Sequence, residues 1–146
     1  MDAFKKRFPE AKLITWLRHP VSRTVSLYNH IMVQPDMNNP IIMKIYDSRL
    51  SILEFSQVSW IRNHAFNYLK QSTPKDFHFI GFLDDYTASL ERCAQTLGWT
   101  TVPPPVWENR NVDPPRPSLS SEEEDVILSQ NREEFDWYLK ARKHFL

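Results

Sequence analysis

The sequence predicts an α/β fold: a short parallel sheet flanked by helices. Two stretches carry that reading, "AKLITWL" (11–17) and "DFHFIGFL" (76–83). Both are apolar, rich in strand formers and free of regular polar alternation, which is the pattern of strands buried on both faces. A helical pattern follows each of them, and strand–helix alternation marks a layered α/β domain with parallel strands. With only two such strands the expected sheet is incomplete.

The first strand follows the breaker Pro9, and Pro20 after it suits the first turn of a helix, where its missing N–H costs nothing. Val21, Val25, Tyr28 and Met32 then recur at i, i+4, i+7 and i+11. At 100° per residue they fall within about 60° of arc and make one apolar stripe. Ser22, Ser26 and Asn29 form a second stripe beside it. "QPDMNNP" (34–40) has the composition of a loop. Residues 49–71 carry Leu50, Leu53, Val58, Ile61, Ala65 and Leu69 at broadly helical spacing and read as one long helix or two shorter ones. After the second strand, Asp84 and Asp85 end the apolar run, and "YTASLERCAQTLG" (86–98) is an amphipathic helix with Gly98 as its C-cap. Residues 100–120 hold six prolines and exclude regular structure, and connections this long are usually functional or disordered. Ser120 or Ser121 then caps the next helix, with Glu123 or Glu124 completing a capping box, and "REEFDWYLKARKHF" is the last helix.

Composition narrows the function. Eighteen basic and eighteen acidic side chains leave no net charge, whereas a nucleic-acid binder usually carries a basic excess. The single cysteine, Cys93, excludes an intrachain disulfide and a multi-cysteine zinc site, and its place on the apolar side of a helix predicts a buried thiol. No apolar run approaches the roughly 20 residues of a membrane span. "MDAFKKRFPEAK" lacks the apolar core of a signal peptide, so the expected location is cytoplasmic.

Arg18 follows the first strand directly, and ligands of open α/β sheets bind beyond the carboxyl ends of the strands. The helix opening at Pro20 adds unpaired N–H groups and about half a positive charge, and arginine offers a planar fork matched to phosphate. Ser26 lies roughly 9 Å further along that helix at 1.5 Å per residue. A phosphate held from two sides fits this spacing; an ion pair at Arg18 and a merely packed Ser26 is the plainer alternative.

"LRHPVSRTVSLYNH" resembles the segment of sulfotransferases that binds the 3′-phosphate of the sulfate donor PAPS. In that family a strand ends in Arg, an acidic or polar residue and Pro follow, and a Ser comes eight positions after the Arg, often before a Tyr. Arg18, Pro20, Ser26 and Tyr28 match, with His19 in the place of the polar residue. "FHFIGFLDDYTASLERCAQTLGW" (77–99) is similar to a later strand, acidic turn and helix of the family. Residues 109–145, with "DWYL", resemble the C-terminal part of the carbohydrate-type members. The resemblance implies an incomplete P-loop-NTPase-like sulfotransferase fold over residues 1–146. It also implies that PAPS, or its product PAP, is the co-substrate, and that Arg110 and Asn111, with Arg116, lie in a loop covering the donor.

The family's other donor element is a "P-K-x-[AG]-[GST]-[ST]" loop that grips the 5′-phosphosulfate, and a His or Glu base follows it. Neither occurs in these 146 residues, and Gly81 and Gly98 are the only glycines. The expectation is therefore the C-terminal portion of a sulfotransferase domain, supplying the 3′-phosphate side of the donor site. No catalytic residue is assigned. The implied acceptor is a hydroxyl of a carbohydrate or a small molecule, with acceptor contacts expected from residues 34–48 and 100–117. The alternative is a non-catalytic remnant that binds PAP or a protein partner. An incomplete sheet also offers an edge for self-association or for an upstream fragment.

Overall fold

The computed structural model describes residues 6–104 and 118–146. Strands β1 (Ile14–Leu17) and β2 (Phe79–Phe82) pair in parallel, Ile14 opposite Phe79 and Leu17 opposite Phe82. Parallel neighbours need a long crossover. Here it carries α1 (Pro20–Val33), α2 (Pro40–Ser48), α3 (Ile52–Ser56) and α4 (His64–Leu69). Short 3-10 turns, Pro74–Asp76 and Leu83–Asp85, bracket β2. Then come α5 (Tyr86–Leu97), α6 (Ser121–Gln130) and α7 (Arg132–Phe145). Among the described residues no helix is long and apolar enough to cross a membrane.

The described residues fall into two compact units: 6–19, 65–104 and 133–146 make the first, and 20–64 with 118–132 make the second. The first unit holds the sheet. Its core joins Leu17 of β1 and Ile80 and Phe82 of β2 to Trp137, Tyr138 and Ala141 of α7. Those three α7 positions lie on one helical face, which the sheet removes from water. On the strands, Trp16 stands opposite Gly81. A side chain at Gly81 would collide with the Trp16 ring, so glycine is what lets that ring lie over β2 and reach Phe79 and Tyr86. The fully buried Ser89 of α5 accepts a hydrogen bond from the Phe82 N–H at 2.9 Å and fastens α5 to the end of β2.

The second unit is helical. Val21 and Val25 of α1 pack with Ile52 and Ile127, and Ile31 packs with Ile45, Phe55 and Ile61. Asn131 is its polar hub, with no exposed surface. Its carbonyl oxygen accepts from Arg23 Nη2 and from the Asn63 N–H, while its amide donates to the Ile127 carbonyl. Arg23 Nη2 also donates to the Ile61 carbonyl.

Two expectations, both of strand extent, need correction. The first strand is shorter than 11–17 and is not buried on both faces: Ile14 is 44% exposed, and Leu17 is its one buried residue. Among the described residues the sheet has these two strands, so each is an edge, yet β2 is buried along all four residues. Within 34–48, the stretch expected to contact the acceptor, residues 40–48 are helix. Residues 34–39 are loop as expected, turned by Asp36, whose side chain accepts the Asn38 N–H; Asn39 then caps α2 by accepting from the N–H groups of Ile41 and Ile42, with Pro40 in the first turn. The second strand spans 79–82 rather than 76–83, because Pro74–Asp76 and Leu83–Asp85 close into 3-10 turns. Residues 49–71 take the two-helix form, with turns over 57–63 between them; at the end of these Asn63 adopts a left-handed φ of 49°, and its N–H donates to Asn131.

Candidate functional site

Arg18 is the first residue beyond β1, on the carboxyl side of the parallel pair. Its backbone is held by its neighbours. The His19 N–H donates to Asp84 Oδ2 at 2.8 Å, and the Tyr138 hydroxyl donates to the same oxygen at 3.2 Å. Arg142 Nη1 in turn donates to the Tyr138 oxygen at 3.2 Å. Asp84 follows β2, so one carboxylate ties the exits of both strands to α7. The His19 ring meets Phe135 and Tyr138 edge-on at 5.4 and 5.5 Å. Burial pushes the Tyr138 hydroxyl above the usual tyrosine range, with Arg142 acting against the shift, so the phenol stays protonated and keeps its donor for Asp84.

Arg18 also lines a small cavity with Leu17, Phe66, Leu69, Glu134, Trp137 and Tyr138. Its volume is about 10 Å³, space for a single water at most. Glu134 is 5% exposed and accepts the Ala65 N–H at 2.9 Å. A buried carboxylate wants a positive neighbour, because an isolated charge away from water is costly. Arg18 and the Glu134 carboxyl group thus line the same cavity.

Ser26 lies on α1, in the second unit, partly buried one residue after Val25. On the same helix Asn29 is buried, and the hydroxyl-bearing Thr24 is completely so. The serine stripe read from the sequence is therefore partly interior. Arg110, Asn111 and Arg116 lie outside the described residues. Among the described residues no three His, Cys, Asp or Glu side chains gather as a metal site. Cys93 is buried, and burial pushes its thiol above the ordinary range, as an inert core cysteine requires.

Asp84, Glu134, Tyr138 and Arg142 did not emerge as site residues from the sequence. Asp84 and Tyr138 sit in quoted motifs, but their link spans 54 residues and has no local signature. Comparison with family profiles, curated proteins and solved structures gave no match.

Proposed function

We propose that this chain supplies the 3′-phosphate side of a PAPS site, as part of a sulfotransferase-type domain that acts on a carbohydrate or small hydroxyl acceptor. The observation that carries the reading is the placement of Arg18. It stands at the carboxyl end of a parallel strand, directly ahead of a helix opened by Pro20, in the order the sulfotransferase motif requires. Arg18 takes the phosphate through its guanidinium fork, and Ser26 adds a hydroxyl donor, each assigned from the motif. His19 and Asp84 position Arg18 by fixing the peptide that follows it. Sulfuryl transfer itself needs a group to stabilise the phosphosulfate and a base to take the acceptor proton. No residue of the chain is assigned either task.

A second reading has its own support. Glu134 is buried in the cavity that Arg18 lines, so Arg18 is then its structural counter-ion, in a sulfotransferase-like remnant without chemistry. Stability separates the two. Removing one member of a buried ion pair costs about 3–5 kcal/mol, and Arg18 is only half-buried, so a structural Arg18→Ala costs less than that but still lowers the urea midpoint. A phosphate-binding Arg18→Ala stays folded and loses ligand. The direct test is thermal unfolding with PAP (adenosine 3′,5′-bisphosphate) and with 5′-AMP, together with a labelled-PAPS transfer assay. PAP raising the melting temperature more than 5′-AMP, without turnover by this chain alone, supports the proposal. Equal shifts reject the 3′-phosphate role, and turnover means that a base was overlooked.

A further inference from the structure

A second basic site lies in the first unit. The Pro74–Asp76 turn and the carboxyl-terminal part of α7 border an open groove of about 470 Å³, lined by Thr73, Pro74, Lys75, Lys140, Lys143 and His144. That volume falls in the range of small-molecule sites, roughly 300–1,000 Å³. Lys140, Lys143 and His144 recur at i, i+3 and i+4, so they share one face of α7. Lys75 reaches the same groove from a segment 65 residues earlier. No carboxylate is among the lining residues, and among the described residues none pairs with the three lysines. The nearby Asp76 accepts both the N–H and the hydroxyl of Thr73.

Cations near a helix carboxyl end complement its dipole, but that effect falls off within the last turn. Arg142, Lys143 and His144 stand in that turn, where the dipole accounts for them, and Arg142 is engaged with Tyr138 and the Phe82 ring; Lys140 stands before it. Lys75 belongs to another segment altogether. Like charges brought together from two segments repel, and a bound anion removes the repulsion. Lysines act as separate point charges that follow the phosphate they meet, without the fixed fork of arginine. Pro74 and the lysine methylenes give the groove an apolar floor. We propose that this groove binds a small molecule carrying two or three adjacent phosphate groups, independently of the PAPS reading.

The test uses the full 146-residue chain and inorganic tripolyphosphate, with orthophosphate at matched ionic strength. Titration at about 50 mM salt, where screening is modest, gives tripolyphosphate an affinity at least about tenfold above that of orthophosphate. Lys75→Gln with Lys143→Gln lowers it by about tenfold or more, and the matching Lys→Arg pair retains it. Amine labelling of the unaltered chain covers the case of a misfolded variant: tripolyphosphate protects Lys75, Lys140 and Lys143 but not Lys44 or Lys70. Equal affinity for the two phosphates, binding indifferent to the glutamine pair, or uniform labelling overturns the proposal.

Discussion

At the scale of single residues, Asp84 accepts hydrogen bonds from His19 and from Tyr138, which stand 65 and 54 positions away in the chain. Hydrogen bonds to a charged group contribute about 1.5–3 kcal/mol when sheltered, and Asp84 is exposed, which lowers that figure. Asp84→Ala is therefore expected to cost about 1–2 kcal/mol in urea unfolding. It also loosens the peptide after Arg18, so PAP affinity falls with it. Tyr138 gives a pH dependence of definite sign. Its folded-state value is raised above the unfolded value near 10, so the neutral phenol contributes its full stability below about pH 10. As pH rises past that point the unfolded chain ionises first and stability falls. Tyr138→Phe is expected to weaken this alkaline loss in unfolding measured from about pH 8 to 11. An unchanged alkaline slope assigns the loss to another group.

Among the elements, β2 is built around one missing side chain. Gly81 faces the Trp16 ring across the strand pair, and a methyl group there has to displace the ring from Phe79 and Tyr86. Gly81→Ala is expected to destabilise the chain by about 1–3 kcal/mol, the usual cost of overpacking, as a lower urea midpoint with unchanged m. The α6 cap is a milder case. Ser120 Oγ accepts the Glu123 N–H, and the Glu123 carboxylate accepts the Ser120 N–H. Ser120→Ala costs about 1 kcal/mol. This cap was legible because its signature spans four residues, and it settles the choice between Ser120 and Ser121. Gly98 was legible for the same reason: it caps α5 with a φ of 70°, which glycine adopts without strain. The start of α2 was hidden by Asn39 and Pro40, which serve a turn and a helix start equally well. The left-handed turn at Asn63, just ahead of α4, is held by Asn131, 68 residues further on, and no local pattern contains that bond.

For the whole molecule, two apolar stretches were enough to place parallel strands and therefore to put Arg18 at their carboxyl side. The strand-to-helix order through Pro20 was equally plain, since proline at a first turn is a local signal. The surroundings of Arg18 were not. Glu134 and Tyr138 reach it through tertiary packing of α7, and a helical pattern shows which face is apolar without showing which strand will cover it. Those surroundings are what make the role of Arg18 testable, because a carboxyl group of the protein lines the same cavity. The most direct measurement is isothermal titration of the chain with PAP and with 5′-AMP, repeated for Arg18→Ala and Ser26→Ala. A charge-assisted contact to the 3′-phosphate predicts PAP bound about tenfold or more tightly than 5′-AMP. That ratio should fall to near one in Arg18→Ala and to an intermediate value in Ser26→Ala. Equal affinities for the two nucleotides in the unaltered chain, or a ratio that survives the loss of Arg18, would contradict it.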